Sequence, residues 1–234
     1  MQPWDGKLAE PIRGDKRQIA LFGARSPLVV EYEESCRRSG ITIPFAVTVD
    51  GAPRLAQTSN ILELGELAPS HLDVAFIAAA FSPLRRRCLV ELAIQMGFTP
   101  ADAVIDPTAV VAHSARVGRG TFINAGSVIG ALSMIGDHIV FNRSSSAGHH
   151  TVLANFVSIG PGVTLAGNIR VGEGSIIGAG STILPDLRIG AGAIVAAGSV
   201  VRRHVPDGVL VDGNPARQRP FDIRRSSFNL PEAE

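Results

Sequence analysis

The feature that most constrains this chain is a six-residue period. Every sixth residue from Val117 to Val201 is apolar, in one unbroken frame of fifteen positions. They are Val117, Ile123, Ile129, Ile135, Phe141, Ala147, Leu153, Ile159, Leu165, Val171, Ile177, Ile183, Ile189, Val195 and Val201. Because 45% of the chain is hydrophobic, chance gives such a run about once in 10⁵ trials. The period therefore predicts a regular repeat architecture.

The composition of each six-residue unit is typical of a parallel β-helix. The second position is mostly glycine, which permits a bend, and the fifth is small or β-branched, which suits a short strand. Three units make one coil, so Val117 is expected to stack on Ile135, and five coils span about 24 Å. The frame is expected to slip by one residue at Arg116, with Val104 and Val110 extending it backward. Both ends then expose strand edges, which the flanking segments are expected to cap.

Composition excludes several classes of protein. The balance of 22 Lys+Arg against 21 Asp+Glu gives no basic field for nucleic acid or for an acidic membrane. The first 18 residues are too charged for a signal peptide, and the longest apolar stretch, 74–81, is too short to span a bilayer. We therefore expect a soluble, cytoplasmic protein. Cys36 and Cys88 form neither a disulfide framework nor a metal-ligand spacing.

Alternating strands and helices precede the repeat. The pattern predicts three strands, at 18–23, 43–49 and 73–79, and two helices, at 27–39 and 83–96. In the second helix Ser82 is the expected N-cap, and the side chains expected to face inward are Leu84, Cys88, Leu92 and Met96. These elements indicate a small doubly wound parallel sheet, an α/β Rossmann-like half domain. The predicted division is a tail at 1–17, this domain at 18–102, the β-helix at 103–206 and a tail at 207–234.

Ligands of such sheets bind beyond the carboxyl ends of the strands. Here that edge predicts binding residues at Gly23, Ala24, Arg25, Asp50 and Ala80. The loop after the first strand has only one glycine, which makes a weak phosphate-binding fingerprint. The alternative is a domain that only caps the solenoid.

Three segments of the chain resemble one enzyme family: 114–121 (SARVGRGT), 176–180 (IIGAG) and the ending 211–217 (VDGNPAR). With the half domain, they resemble the sugar O-/N-acyltransferases of the left-handed β-helix class, which acetylate nucleotide-linked amino sugars or sialic acids from acetyl-CoA. The resemblance implies a left-handed solenoid, a homotrimer, and acetyl-CoA as co-substrate without a required metal. It also implies that the N-terminal edge holds the acceptor's nucleotide.

The family's catalytic histidine, which an acidic residue follows, corresponds to the stretch 149–162 (HHTVLANFVSIGPG). The resemblance makes His149 the general base, and imidazole titrates in the range that this role needs. Two positions depart from the family, since His150 stands where the carboxylate is expected and Ser158 where many relatives have a second histidine. Gly167, one coil above His149, is the candidate oxyanion donor by both position and resemblance.

Columns of small residues at the corners suit the long pantetheine arm of coenzyme A. The resemblance places the acyl-CoA contacts at Ser158, Gly167, Ala179 and Ala197, and Arg202 and Arg203 are candidates for the phosphates. Both cysteines lie outside the solenoid, so direct attack on the thioester is favoured over an acyl-enzyme. We therefore expect N-acylation of a nucleotide-linked amino sugar.

Other interpretations remain open from the sequence. One is an enzyme that acylates an oxygen of a sialic acid or another sugar. Another is a catalytically altered relative that binds acyl-CoA. The alternative for the histidine pair is that both are turn residues of the solenoid that only face solvent. Zinc chemistry of the γ-carbonic anhydrase kind needs histidines five residues apart, whereas Ala154 follows His149 and Arg143 follows His138 at that spacing.

Overall fold

A computed structural model describes residues 18–56, 58 and 60–220. The predicted terminal tails lie mostly outside these residues. Before residue 100 the elements are strands Ile19–Phe22, Ala46–Thr48, Ile61–Glu63 and Ala75–Ala78, helices Val29–Arg38 and Pro83–Gln95, and 3₁₀ helices Leu64–Glu66 and Pro69–Asp73. None of the helices in these ranges has the length and apolar character needed to cross a bilayer.

The described N-terminal strands form one parallel sheet. Strand Ile19–Phe22 is central, with Ala75–Ala78 on one side and Ala46–Thr48 on the other. A strand that the sequence did not predict, Ile61–Glu63, pairs outside Ala46–Thr48. It escaped prediction because its three residues end in a glutamate and are only partly buried.

The second helix begins where it was predicted, since the Ser82 side chain accepts from the backbone N–H of Arg85. The predicted inward face of Leu84, Cys88, Leu92 and Met96 is wrong for its first half, whereas Leu92 and Met96 are partly buried and Met96 packs against the core. Leu84 and Cys88 are exposed, and the buried side chains are Pro83, Arg86, Leu89, Val90 and Ala93. The apolar pattern misled because this helix lies between the sheet and the solenoid, and the face toward the solenoid carries an arginine.

The repeat folds into a parallel β-helix with three faces. The first face contains Val104–Ile105, Phe122–Ile123, Val140–Phe141, Ser158–Ile159, Ile176–Ile177, Ile194–Val195 and Leu210–Asp212, with Arg217–Arg219 added antiparallel. The second contains Val110–Val111, Val128–Ile129, Ser146–Ala147, Thr164–Leu165, Thr182–Ile183 and Val200–Val201. The third contains Arg116–Val117, Met134–Ile135, Val152–Leu153, Arg170–Val171 and Arg188–Ile189.

The predicted stacking is confirmed, because Val117 pairs with Ile135 and Ile135 with Leu153. The predicted slip at Arg116 is wrong. Ile105 pairs with Ile123 and Val111 with Ile129, so the inward frame continues unbroken to residue 105. Val110 points outward and is 62% exposed. The inward residues form one continuous apolar core along the solenoid.

Three corners join the faces. The first corner, between the first and second faces, contains residues 106–109, 124–127, 142–145, 160–163, 178–181 and 196–199. The second, between the second and third faces, contains 112–115, 130–133, 148–151, 166–169, 184–187 and 202–204. The third, between the third and first faces, contains 118–121, 136–139, 154–157, 172–175 and 190–193.

The N-terminal domain packs against the side of the solenoid. The Tyr32 ring stacks on Phe122, an outward residue of the first face, with ring centroids 3.9 Å apart. Ser35 Oγ donates to Asp106 Oδ2 at 2.7 Å, and Arg38 forms an ion pair with the same carboxylate. These contacts bury the outward side chains of the first face at its lower coils.

The guanidinium of Arg86 joins the two parts of the molecule. It is fully buried, and burial lowers its pKa to about 10, so it stays charged at neutral pH. It donates to the carbonyl oxygens of Ala80, Phe81, His138, Phe156 and Val157 at 2.6–3.1 Å and to Ser158 Oγ at 3.0 Å. A buried charge with this many acceptors fixes the sheet relative to the third corner.

Candidate active site

The histidine pair lies on the second corner, one coil below Gly167. A β-carbon on Gly167 would lie 2.6 Å from both Nε2 and Cε1 of His149, so this edge of the imidazole is pressed against the glycine α-carbon. The carbonyl oxygen of His149 accepts from the N–H of Asn168 at 2.8 Å, which ties the two coils together. Only glycine leaves room for the ring at this height.

His149 and His150 contact each other directly. Their Nδ1 atoms are 2.9 Å apart, and the rings are nearly perpendicular at 86°. His150 has a left-handed backbone (φ 57°), and its N–H donates to Ala131 O at 2.9 Å. Both side chains are exposed. One nitrogen of the contact must carry the proton and the other must accept it, so the pair has a defined tautomer order.

The backbone of Gly167 is hydrogen-bonded on one side only. Its carbonyl accepts from the N–H of Asp186, whereas no hydrogen bond within the described residues uses its own N–H. Gly167 therefore lies against the Nε2 edge of His149 and carries a backbone donor that the described residues do not use.

Ser158, predicted to contact acyl-CoA, lies elsewhere. Its side chain is fully buried at the domain junction, where Oγ donates to Phe81 O at 2.5 Å and accepts from Arg86. Ser158 therefore has no exposed surface to offer a coenzyme. The position is outward on the first face, which the N-terminal domain covers here, and no pattern within the repeat predicts that cover.

The other predicted acyl-CoA residues lie on two different corners. Ala179 and Ala197 are exposed on the first corner, where their backbones pack tightly against Gly160 and Gly178 of the coils below. Gly167 lies on the second corner. The structure does not bring these residues together within one chain, because the whole second face separates the two corners.

Basic side chains lie higher on the second corner and the adjoining third face. Arg202 and Arg203 are exposed where the sequence predicted a phosphate contact. Arg170 and Arg188, which sequence reasoning missed, line a cavity of about 580 Å³ with Asn168, Asp186, Leu187, Gly190, His204, Val205, Pro206 and Asp207. Their signal was in the repeat, since both occupy the outward strand position of neighbouring coils.

The carboxyl edge of the N-terminal sheet is the second candidate region. Asp50 forms ion pairs with Arg25 at 3.4 Å and with Arg85 at 2.5 Å. The sequence analysis missed Arg85 because it lies in the first turn of the second helix, for which only an N-cap and inward-facing residues were predicted. A cavity of about 360 Å³ adjoins Asp50 and is lined by Thr48, Val49, Gly51, Glu63, Leu64 and Gly65.

The remaining predicted residues of this edge form its floor. Gly23, Ala24 and Ala80 are buried, and the N–H groups of Gly23 and Ala24 both donate to Val47 O. These two amides are therefore not available to a phosphate. Gly23 has φ 95°, and a β-carbon there would lie 2.8 Å from Leu89 Cδ1, so this glycine shapes the loop.

The two cysteines lie outside the solenoid, and one of them is buried. Burial raises the pKa of the Cys36 thiol to about 12, which removes its nucleophilic form at neutral pH. Cys88 is exposed on the second helix. Among the described residues, no three His, Cys, Asp or Glu side chains are grouped as metal ligands.

The chain is similar to one protein family and to several solved structures. The Bacterial transferase hexapeptide (six repeats) family matches residues 150–185 and 168–203. A comparison with curated protein sequences gives no match. Among solved structures, the acetyltransferase domain of PglB from Neisseria gonorrhoeae FA1090, in complex with acetyl coenzyme A, is 30% identical. That match covers 88% of this chain and 100% of the other, with a TM-score of 0.77.

Two further structures are similar. A histidine variant of perosamine N-acetyltransferase from Caulobacter crescentus, in complex with CoA and GDP-perosamine, is 29% identical; 87% of this chain and 97% of that chain are covered, with a TM-score of 0.79. WeeI from Acinetobacter baumannii AYE is 26% identical over 87% of this chain and 100% of its own, with a TM-score of 0.73. The chain therefore belongs to the hexapeptide-repeat sugar acyltransferases of the left-handed β-helix type, and it is an acyltransferase.

Proposed function

We propose that this protein is a cytoplasmic, homotrimeric enzyme that transfers the acetyl group of acetyl-CoA to the amine of a nucleotide-linked amino sugar. The observation that carries the proposal is the contact between the Nε2 edge of His149 and Gly167, which brings a base and an unused backbone N–H to one point. Similarity to enzymes solved with acetyl-CoA, CoA and GDP-perosamine supports the choice of both substrates.

The chemistry follows from these two groups. The acceptor nitrogen attacks the thioester carbonyl while Nε2 of His149 takes a proton from it. The N–H of Gly167 donates to the oxygen, which becomes negative as the carbonyl carbon turns tetrahedral. When the C–S bond breaks, the sulfur leaves as a thiolate and takes the proton from His149. No acyl-enzyme is needed.

A trimer accounts for the separation of the predicted acyl-CoA residues. In one chain Gly167 and Ala179 lie on different corners, so a coenzyme that touches both must lie between two copies. Apolar side chains exposed around the second corner favour such contact: Val110, Val128, Leu132 and Met134. In this arrangement the second corner of one copy faces the first corner of its neighbour.

We assign the acceptor's nucleotide to the carboxyl edge of the N-terminal sheet. Arg25 and Arg85 suit the phosphates, and Asp50, which holds both arginines, suits a ribose or base donor. Gly23, Ala24 and Ala80 act as the floor beneath these side chains.

The test is thiol release from acetyl-CoA with UDP-, dTDP- and GDP-linked amino sugars, beginning with GDP-perosamine, and with free sialic acids as hydroxyl acceptors. We expect turnover with a nucleotide-linked amine and a trimer by light scattering. Turnover with sialic acids alone would favour O-acetylation. Acetyl-CoA binding without any turnover would favour the altered relative, and a monomer at micromolar concentration would contradict the shared site.

A further inference from the structure

The side chain that contacts the proposed base is the imidazole of His150, whose Nε2 makes no hydrogen bond within the described residues. No hydrogen bond within the described residues joins a carboxylate to either ring of the pair. On this corner Ala131 and Leu132 lie below the pair and Gly167 and Asn168 lie above it. The nearest titratable side chains on the corner are two coils away: His113 below, and Asp186 above, which accepts from Asn168 Nδ2 at 2.8 Å.

For Nε2 of His149 to accept a proton, its Nδ1 must already carry one. That Nδ1–H then donates to Nδ1 of His150, whose own proton is consequently on Nε2, on an exposed ring. A carboxylate in this position orients an imidazole but does not take its proton. A second neutral imidazole can take the proton on one nitrogen and release another from the opposite one.

We propose that His149 and His150 form a proton relay that lets the enzyme bind its acceptor as an ammonium ion and deprotonate it in the site. The proposal rests on the N-acetyltransferase function proposed above. An amine similar to an α-amino group, with a pKa of about 8, is about nine-tenths protonated at pH 7. A hydroxyl acceptor has no such proton to lose, so the relay specifies an amine.

The protons balance over two steps. First, the ammonium ion gives a proton to Nε2 of His149, the Nδ1 proton of His149 moves to His150, and His150 releases its Nε2 proton to water. Proton exchange with water then restores the starting tautomers. Second, the neutral amine attacks, the C–N bond forms and the C–S bond breaks, and the second proton passes through Nε2 of His149 to the sulfur. The sum is R–NH₃⁺ plus acetyl-S-CoA giving the amide, CoA-SH and one proton in solution.

The test variant is His150→Asn, because asparagine tolerates the left-handed backbone at this position and its side-chain oxygen still accepts from Nδ1–H of His149. Orientation is retained while the relay is lost. We expect kcat/KM for the amino sugar that wild type uses best in the panel, with GDP-perosamine tried first, to fall about tenfold at pH 7. The deficit should disappear by pH 9, where the free amine predominates. Added imidazole should restore the variant at pH 7 and leave wild type unchanged.

The matched control is His113→Asn, an exposed histidine on the same corner with no bond to the pair. It should behave as wild type at both pH values. An equal deficit at pH 7 and pH 9 would show that His150 only positions the base, and no deficit would show that it has no part; either result overturns the relay.

Wild type provides a second measurement that does not depend on the folding of a variant. With the relay, kcat/KM changes little between pH 7 and pH 9, whereas an enzyme that takes only the free amine gains about tenfold. A tenfold gain in wild type overturns the relay but leaves the transferase function intact. Absence of turnover with every amine overturns the proposed function itself.

Discussion

Two corners of the solenoid carry a histidine in the same left-handed turn, and this histidine is buried at one corner and exposed at the other. On the third corner, His138 has φ 54° and is buried, and its ring stacks on Phe156 with centroids 5.1 Å apart. Its Nδ1 is a buried atom without a hydrogen-bond partner in the described part of the chain. On the second corner, His150 has φ 57°, is exposed, and contacts His149.

The difference comes from what covers each corner. The N-terminal domain lies against the third corner, where Arg86 binds the carbonyl of His138 and Arg87 lies over the Phe156 ring. Desolvation is the largest cause of a pKa of about 4 for His138, opposed by Asp137 and reinforced by Arg86 and Arg87. Nothing in the described residues covers the second corner in this way. The same turn therefore gives a neutral packing group at one corner and a solvent-accessible imidazole at the other.

The largest expected effect lies on the exposed corner. His149→Ala should lower kcat by about 10²- to 10⁴-fold, because general-base catalysis is lost, while KM for acetyl-CoA changes little. Steady-state kinetics with the best amino sugar measures both. His113→Ala, on the same corner, should leave kcat unchanged. Retained kcat in His149→Ala would mean that the site is elsewhere.

The buried corner should affect stability and not catalysis. Between pH 6.5 and 4 the unfolded chain binds a proton at His138 that the folded chain does not, so stability falls as the pH falls through this window. The loss should total about 3 kcal/mol. Denaturant unfolding at pH 7 and pH 4.5 should show a smaller fall for His138→Asn than for wild type. His113→Asn is the control, and equal falls for all three proteins would contradict the buried assignment.

Gly167 contacts the proposed base and is the proposed oxyanion donor, so a larger side chain at this position tests that contact. Gly167→Ala places a carbon 2.6 Å from the His149 ring, which must move. We expect kcat to fall about tenfold or more, since misplacing a catalytic group is costly. The double variant with His149→Ala should lose little more than His149→Ala alone, because the two changes act on one unit. Full additivity would show that the residues work independently.

The smallest effect is expected at the first corner. Ala179→Leu adds a large side chain to an exposed column, so KM for acetyl-CoA should rise several-fold with a change in unfolding free energy within about 0.5 kcal/mol. Ala191→Leu makes the same change at the same position of a unit on the third corner and should leave KM unaltered. If both variants had the wild-type KM, the coenzyme would not contact the first corner.

The sequence predicted the parts of the fold that depend on local periodicity. The apolar frame from Val117 onward and the N-cap at Ser82 are confirmed because each reflects contacts between fixed sequence separations. The inward face of the second helix was wrong at Leu84 and Cys88, and the strand Ile61–Glu63 was missed, because both depend on long-range packing.

The same limit applies to the candidate site. The column from His149 to Gly167 follows from an 18-residue coil, and the structure agrees with it. The burial of Ser158 against Arg86 joins residues 72 positions apart, and no period of the sequence relates them. The Asp50 ion pair with Arg85 similarly joins a strand end to a helix start. Sequence reasoning found contacts within the repeat and missed those that cross to the other domain.

Among residues 18–56, 58 and 60–220, seven residues other than glycine have left-handed backbone, all at the fourth position of a six-residue unit: Leu132, His138, Ser144, His150, Phe156, Asn168 and Asp186. Each costs about 1–2 kcal/mol relative to glycine. The core residues of the unit point away from this position, so any side chain placed there leaves the solenoid interior unchanged. The same turn position can therefore hold a buried packing ring, as at His138, or an exposed imidazole, as at His150, at a similar cost in backbone free energy.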